Sequence, residues 1–421
     1  MMRLFDAHAD TPFEIWSRHE SLKKNSCHID KEKAGVFAQY KQIFAFCSMV
    51  GLSCEMTQEH FVECLSYFRR EIEGQQWVTP YLSIEGAEVI VADNASTDGS
   101  MKVMREEFPD VRTIVLEKNF GFTGGYNRAF EQIESDLFVL INSDIEVTEG
   151  WLEPLVRWME GHPECGACAP KLHSWQDRDM FEYAGAAGGY IDRYGFPFCR
   201  GRVMNRLERD HGQYDKPTDV FWATGACLMV RSEVFRRLGG LDDRFFAHME
   251  EIDLCWRMQL EGYSITVVPD STVYHVGGGT LPATSPFKLY LNFRNNLMML
   301  ENNLAKTFAL MCSRNEADIP KAARKSRRKA RRRIATRKML DMAAAAAYLM
   351  TFRTECFKSV LKAHKDAEAM IRRPSDDDIR RYLMSGKGKV EGMYNRWIVL
   401  RSILKGRRIF SSIRDKDFYK I

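Results

Sequence analysis

LFVLINSDIEV, residues 137–147, is the stretch that decides the fold. Its first five residues are apolar and favour strands, and a short unbroken apolar run predicts a strand buried on both faces. The run ends at Asn142, Ser143 and Asp144. Because ligands in open α/β sheets bind just beyond the carboxyl ends of strands, Asn142 and Asp144 are candidate oxygen ligands for Mg²⁺ or Mn²⁺ carrying a diphosphate. The simpler alternative is that Asp144 only begins a turn.

Two further segments predict the same architecture around this strand. AEVIVADNASTDGS, residues 87–100, has the pattern of a buried strand that ends at Asp93 and Asn94. NFGFTGGYNRAF, residues 119–130, places three glycines before a helix that we expect to begin near Tyr126. Glycines let the backbone approach a ligand closely, although they also make plain turns. Alternating strands and helices with polar strand ends predict a parallel α/β sheet.

The chain of 421 residues is long enough for two or more domains, and its charge is unevenly distributed. Residues 301–421 contain 31 Lys and Arg against 13 Asp and Glu, whereas the first 300 residues contain 30 against 44. An acidic front and a basic tail indicate two roles. Eleven scattered cysteines fit reduced thiols in a cytoplasm. The N-terminal stretch MMRLFDAHADTP has no apolar core, so we expect no signal peptide.

The motifs VADNASTDGS, NFGFTGGYNRA and INSDIEV, in this order, resemble the donor-binding half of family 2 glycosyltransferases. The resemblance implies an α/β protein with a GT-A-like mixed sheet, flanking helices and a nucleotide-sugar donor. Asp93 would hold the nucleoside, and Asp144 would be the main charged metal ligand because Asn142 replaces the first acid of the DxD-type motif. His275 stands where the family commonly completes the metal site, and a purely structural histidine is the alternative. The residues implied in nucleotide-sugar binding are Asp93, Asn94, Gly124, Gly125, Asn127 and Asn142.

FFAHMEEIDLCWRMQLEGY, residues 245–263, places Glu250 and Glu251 at the start of a predicted helix. Acids at a helix N-terminus often do no more than favour the helix dipole. The sequence also resembles the family's ED-x-D motif, which implies that Glu251 is the catalytic base, with Glu250 beside it. An inverting transferase needs such a base to take the acceptor hydroxyl's proton while that oxygen attacks the anomeric carbon. Residues 166–200 are expected to be irregular and to cover the site.

The N-terminal segment has a different character. DAHADTP, YKQIFAFCSMV and YLSIEGAE together resemble the start of the membrane (renal) dipeptidase family, a resemblance that implies zinc ligands at His8, Asp10 and Glu85. It covers about residues 3–86, and the family's later histidine ligands do not follow. The transferase family's own first strand is missing here. We therefore hypothesise that a strand over 40–50 and a helix over 57–73 take the place of the missing strand and helix.

The basic tail is dominated by KAARKSRRKARRRIATRK, residues 321–338, which predicts a helix that is basic on most faces. Peripheral contact with an anionic membrane is one interpretation, and a plain solvated helix is the other. No base-reading fold is evident, so we expect no nucleic acid partner. SDDD at 375–378 is expected to form a linker turn.

The expected organisation has three parts: a truncated dipeptidase-like segment over 1–86, a glycosyltransferase core over 87–300 and a basic helical tail over 301–421. The expected function is metal-dependent, inverting transfer of a sugar, of rhamnosyltransferase-like type, from a nucleotide-sugar donor to a glycan or lipid-linked acceptor. The alternatives are a zinc dipeptidase fragment and a catalytically inactive fusion that docks on membranes. The expected location is the cytoplasm, including the inner face of the membrane.

Overall fold

The structure is a computed structural model that describes residues 2–5, 87–97, 99–276, 285–312, 319–385, 388–404 and 409–419. A nine-stranded mixed sheet runs through its centre in the order β11, β13, β6, β12, β4, β1, β2, β3, with β5 paired to β13. Its strands are β1 Met2–Phe5, β2 Ala87–Asp93, β3 Arg112–Val115, β4 Leu137–Ile141, β5 Ile145–Val147, β6 Cys165–Ser174, β11 Thr218–Asp219, β12 Cys227–Arg231 and β13 Ser264–His275.

The strand predicted from the LFVLI run is confirmed as β4. All five of its residues are buried, and Phe138 stacks on Phe130 with ring centroids 4.1 Å apart. β4 lies between antiparallel β12 and parallel β1, so backbone pairs with backbone on both edges. Both of its faces are covered by core side chains, as a continuous apolar run requires. β4 therefore aims Asn142 and Asp144 out of the centre of the sheet.

The gap left by the missing family strand is filled by the first residues of the chain. β1 pairs in parallel with β2 through Met2 and Ala87, and with β4 through Met2 and Leu137. The other edge of β2 is occupied by β3. Met2–Phe5 thus holds the position that we predicted for residues 40–50, which corrects that hypothesis. Residues 40–50 and 57–73 themselves lie outside the described residues.

Five helices accompany the sheet: α1 Ser100–Glu107, α2 Gly121–Glu131, α3 Leu152–Gly161, α4 Ser232–Arg237 and α5 Glu250–Leu260. α2 begins five residues before the predicted Tyr126. The reason is a hydrogen bond between residues that are 26 apart in the sequence. The side chain of Asn94 accepts the N–H of Phe120 at 2.9 Å. That contact anchors the first turn and lets the glycines enter the helix.

Residues 166–200 are more regular than predicted. β6 runs through Cys165–Ser174, and a second, five-stranded sheet follows. Two polar residues of β6, Lys171 and His173, are buried because Asp210 binds them at 2.8 and 2.9 Å. Such remote pairing removes the cost of burying polar groups in a strand. The second sheet contains β7 Gly189–Asp192, β8 Pro197–Cys199, β9 Arg202–Val203, β10 Arg206–Leu207 and β14 Met393–Tyr394.

The C-terminal part is helical, as expected, with α6 Pro286–Leu310, α7 Ile319–Met350, α8 Thr354–Met370, α9 Asp376–Ser385 and α10 Ile398–Leu404. α6 crosses the predicted boundary at residue 300 and packs against both α7 and α8. The SDDD segment caps a helix, since Asp378 and Ser375 exchange hydrogen bonds at the start of α9. Among the described helices, none is both long and apolar enough to cross a membrane.

Candidate active site

The carboxyl end of β2 meets the start of α2. Asp93 is buried, and its carboxylate accepts the N–H of Ser96 at 3.0 Å. The side chain of Asn94 donates to the carbonyl of Gly121 at 2.9 Å in addition to accepting the N–H of Phe120. The two predicted donor-binding residues therefore lie side by side at the end of β2, next to the start of α2.

The glycines of α2 are required by close approaches. Gly121 has φ +72°, and a Cβ there would lie 2.4 Å from the ring of Phe246. A Cβ on Gly125 would lie 3.1 Å from the amide nitrogen of Asn94. The predicted glycines thus bring α2 against β2 and against the loop that precedes α5. Their effect is to pack three elements around one opening.

The end of β4 holds the candidate metal ligands. Nε2 of His275 lies 3.0 Å from Oδ1 of Asp144, and its Nδ1 lies 3.2 Å from Oε1 of Glu182. Burial acts to lower the pKa of His275, but the two carboxylates outweigh it and raise that pKa to about 10. Backbone pairing of β13 with β5 positions the histidine beside the acid. The structure therefore brings Asp144 and His275 together, as predicted.

This arrangement fits a divalent cation. A carboxylate oxygen and an imidazole nitrogen suit Mn²⁺, and a second carboxylate on the far ring nitrogen is the usual support for a histidine ligand. The proton that Asp144 and His275 share would give way to the ion. No group of three or more His, Cys, Asp or Glu side chains suited to a metal occurs among the described residues. Diphosphate oxygens and water would complete the coordination.

Glu250 and Glu251 begin α5. Burial, then the neighbouring Glu251, raises the pKa of Glu250 well above its ordinary value, and burial raises the pKa of Glu251 to about 7. The pKa of Glu250 is thus raised by both burial and its neighbour, whereas that of Glu251 is raised by burial. A carboxylate with a pKa near 7 is well matched to accept a proton. Asp253 is different, since it is buried and bound by Arg257 and Asn303 at 2.6 and 2.7 Å.

The loop before α5 has an unusual backbone that α6 holds in place. Phe246, His248 and Met249 all have φ between 66° and 71°, a region that residues with a Cβ rarely occupy. The amide of Asn295 donates to the carbonyls of Phe245, Ala247 and His248 at 2.9, 2.8 and 2.7 Å. These contacts fix the direction in which α5 starts, and with it the position of the two glutamates.

Contacts around the Gly225–Ala226 turn join three of the segments that carry predicted residues. The N–H of Asn142 donates to the carbonyl of Ala226 at 2.8 Å. A Cβ on the adjacent Gly225 would lie 3.2 Å from the ring of Phe122 in α2 and 3.6 Å from Cβ of Glu251. The end of β4, the first turn of α2 and the start of α5 therefore meet at the turn that contains Gly225.

Asn127 is used differently from our prediction. Its amide oxygen accepts the N–H of Leu241 at 2.9 Å, and its nitrogen donates to the carbonyl of Leu241 and to Asp243. These contacts attach α2 to the loop after α4. Gly124 also has a packing role, because a Cβ there would lie 2.8 Å from Cβ of Phe120. Both residues therefore have packing contacts, and their predicted part in donor binding stays a prediction.

The comparisons with known proteins agree with this geometry. Residues 76–239 match the profile described as Glycosyl transferase family 2. The chain carries a family 2 glycosyltransferase domain. This domain belongs to the glycosyltransferase class of enzymes, and its mixed sheet flanked by helices is the predicted GT-A-like fold. The match begins upstream of Glu85, so that residue falls within the glycosyltransferase domain.

Curated relatives are similar over part of their length. An N-acetylglucosaminyl-diphospho-decaprenol L-rhamnosyltransferase of Mycobacterium tuberculosis is 28% identical over 205 residues, which are 44% of this chain and 66% of that protein. A hexosyltransferase of low-salt glycan biosynthesis from Haloferax volcanii is 23% identical over 54% of this chain and 72% of its own. The chain therefore spans just under two thirds of the mycobacterial relative.

Among solved structures, a mannosyltransferase of Pyrobaculum calidifontis with GDP-Man and Mn²⁺ aligns with a TM-score of 0.38 and 15% identity, covering 71% of this chain and 81% of that one. GalNAc-T7 with UDP, GalNAc and Mn²⁺ aligns with a TM-score of 0.40 and 15% identity, covering 53% and 44%.

Sequence reasoning about the glycosyltransferase domain missed Glu182 and Asn295. Glu182 lies in the stretch expected to be irregular, and no local pattern marks a residue that supports His275. Asn295 sits in NFRNN, among other asparagines of α6. The dipeptidase-like ligands His8 and Asp10, like Glu85, lie outside the described residues.

A described cavity of about 470 Å³ lies elsewhere, lined in part by Trp158, Tyr263 and Ser264. Ser264 begins β13 and His275 ends it. The cavity is therefore at the opposite end of the strand from the candidate active site, and we assign it no part in donor binding.

Proposed function

We propose that this protein is a metal-dependent, inverting glycosyltransferase that moves a sugar from a nucleotide-sugar donor to a glycan or lipid-linked acceptor. The observation that carries the proposal is that Asp93 and Asp144 lie at the carboxyl ends of β2 and β4, which run in the same direction, while Glu251 lies beside the turn at Gly225. Ligands bind at that edge in open α/β folds. The domain match supports the reaction class, and the mycobacterial relative is named for a lipid-linked sugar.

Each residue has a separate task. Asp93 and Asn94 bind the nucleoside. Asp144 and His275 would hold Mg²⁺ or Mn²⁺, which would supply positive charge to stabilise the leaving diphosphate. Glu251 takes the proton from the acceptor hydroxyl while the new bond to the anomeric carbon forms and the bond to the diphosphate breaks. Glu250 stands beside the base, and burial and the neighbouring Glu251 raise the pKa of its carboxyl well above the ordinary value.

The base assignment follows from the neighbourhood of Glu251. Burial holds the pKa of this carboxyl near 7, so a large fraction is ionised at neutral pH and is still basic enough to accept a proton. Nearby, Gly225 belongs to the turn whose carbonyl at Ala226 binds Asn142. An acceptor that enters over this turn reaches Glu251 and the donor together. We place the reaction in the cytoplasm, with contact to a membrane surface.

The test is donor turnover with Mn²⁺ and a panel of nucleotide sugars, measured by release of nucleoside diphosphate. Asp144→Asn and Glu251→Gln should each lower turnover at least about 100-fold, since one loses a metal ligand and the other the base. Asp270→Asn is the matched control, because Asp270 is exposed on the same strand as His275. Unchanged turnover in Asp144→Asn would refute the proposal.

A further inference from the structure

The exposed face of α7 has a composition that the transferase proposal does not explain. Six of the seven exposed cations of its first half are Lys321, Arg324, Lys325, Arg328, Arg331 and Arg332. The seventh, Lys329, lies over the ring of Phe308 in α6. The four exposed large apolar residues of its second half are Met339, Met342, Leu349 and Met350, with exposed alanines between them. At about 100° per residue, all ten lie within one stripe about 120° wide and about 44 Å long. We call this the α7 stripe.

The α7 stripe contains no acid. α7 is described from end to end, and its sole carboxylate, Asp341, is buried and pairs with Arg337 and His364 away from solvent. None of the six cations lies within ion-pair distance of a carboxylate of the described residues, whereas Arg327 and Lys338, at the edges, do form such pairs. The stripe thus presents unneutralised positive charge at one end and uncovered apolar surface at the other.

The apolar end continues into the turn between α7 and α8. Phe352 is 91% exposed and has φ 57°. The turn is well formed nonetheless, because the N–H of Arg353 donates to the carbonyl of Tyr348 at 2.8 Å. A large aromatic side chain held outward on an ordered turn is costly in water. Together with Leu349 and Met350 it forms an apolar tip.

This tip lies at the same end of the molecule as the candidate active site. Arg337 of α7 binds Asn296 of α6, and Lys329 lies 4.3 Å from the ring of Phe308, so the two helices are antiparallel. The second half of α7 therefore runs beside the first half of α6, which holds the loop before Glu250. Counting 1.5 Å per residue, α7 ends about 5 Å beyond the start of α6.

We propose that the α7 stripe and Phe352 dock the protein on an anionic phospholipid bilayer, with the cations on headgroups and the apolar tip at the boundary of the acyl chains. Helices that lie in a membrane interface combine these two features. The proposal specifies which surface makes the membrane contact suggested for the transferase. It rests on the proposed transferase function only for the use of docking, not for the docking itself. Docking here would set the opening beside a lipid-linked acceptor.

Two other occupants fit the stripe less well. A nucleic acid would use the cations but would leave the apolar half exposed. A second copy of the chain would place cations against cations in a parallel pairing, and cations against methionines in an antiparallel one. A bilayer satisfies both halves at once, because its headgroups and acyl chains are layered.

The experiment is sedimentation of the full chain with vesicles, without any donor sugar. Binding to vesicles with about 30% phosphatidylglycerol should exceed binding to pure phosphatidylcholine about tenfold or more and should fall as salt rises. Phe352→Glu and the double variant Arg324→Glu/Arg328→Glu should each weaken binding about tenfold. Val115→Glu is the matched control, because Val115 is 59% exposed on β3, at the far edge of the sheet.

The outcomes are distinct. Equal vesicle binding by Phe352→Glu and the unaltered protein would overturn the proposal. Binding to duplex DNA without binding to vesicles would also overturn it, as would a dimer in solution that is lost in the Phe352→Glu variant. Donor turnover in solution should be unchanged in Phe352→Glu, so failure of docking and failure of the transferase proposal are separable.

Discussion

Replacing Asn295 with alanine probes how the candidate base is held in place. Asn295 is fully buried, and its amide contacts the three carbonyls before α5. Without it, Arg294 would still donate to the carbonyl of Phe245 at 2.7 Å, but the carbonyls of Ala247 and His248 would lose the donor that Asn295 supplies. The loop residues Phe246, His248 and Met249 have positive φ. Each such residue costs about 1–3 kcal/mol and keeps its conformation only when its surroundings impose it. We therefore expect the loop to relax and Glu251 to move.

The size of the effect follows from the contacts. An amide NH₂ has two protons, so the three short contacts amount to about two hydrogen bonds. Their loss, with carbonyls left buried, should lower the free energy of unfolding by about 2–4 kcal/mol. At an unfolding entropy of about 2.1 cal/mol/K per residue, this corresponds to a melting temperature about 2–5 °C lower. A shift of the base by about 1 Å should lower kcat by about 10–100-fold.

The assay compares kcat at saturating donor, well below the melting temperature of each variant. Asn303→Ala is the matched control, because Asn303 is equally buried on the same helix but donates to Asp253 and Met299. It should lose stability and keep kcat within about threefold. The reasoning fails if Asn295→Ala keeps its kcat, or if both variants lose kcat equally.

Three further predictions concern the same site. Because the pKa of Glu251 is raised to about 7 and the ionised form is the base, kcat should fall as pH drops below about 7. The raised pKa also makes the folded protein lose stability as pH rises from about 4.5 to 7. Glu251→Gln should therefore melt at a higher temperature than the unaltered protein at pH 8. Glu182→Gln should weaken Mn²⁺ binding about tenfold, measured by electron paramagnetic resonance, because Glu182 supports His275; equal affinity would show that the contact is incidental. Gly121→Ala should destabilise far more than Gly99→Ala, since both have positive φ but a Cβ on Gly99 meets nothing within 4 Å; equal melting temperatures would contradict this.

Local patterns in the sequence were sufficient for several elements. The run before Asn142 predicted β4 because a strand buried on both faces must be apolar throughout. The two glutamates were placed at a helix start, and α5 begins at Glu250. The basic tail was predicted as helix, and α7 confirms it. In each case the signal lies within one element and needs no partner.

The rest depended on contacts between distant residues. α2 begins early because Asn94 anchors Phe120, and β6 is a strand because Asp210 pairs with its buried Lys171 and His173. The support of His275 by Glu182 joins residues about 90 apart. No periodicity or motif encodes such pairings, since each arises only after the chain has folded.

The position of β1 has a consequence for biosynthesis. Met2 leaves the ribosome before its partners Ala87 and Leu137, which follow about 85 and 135 residues later. At roughly 5–20 residues per second, the opening strand waits about 7–27 s before both neighbours exist. During that interval its unpaired edges are open to chaperones and to other nascent chains. Slowing translation between the first codons and codon 141 should therefore lower the yield of native protein more than slowing it afterwards.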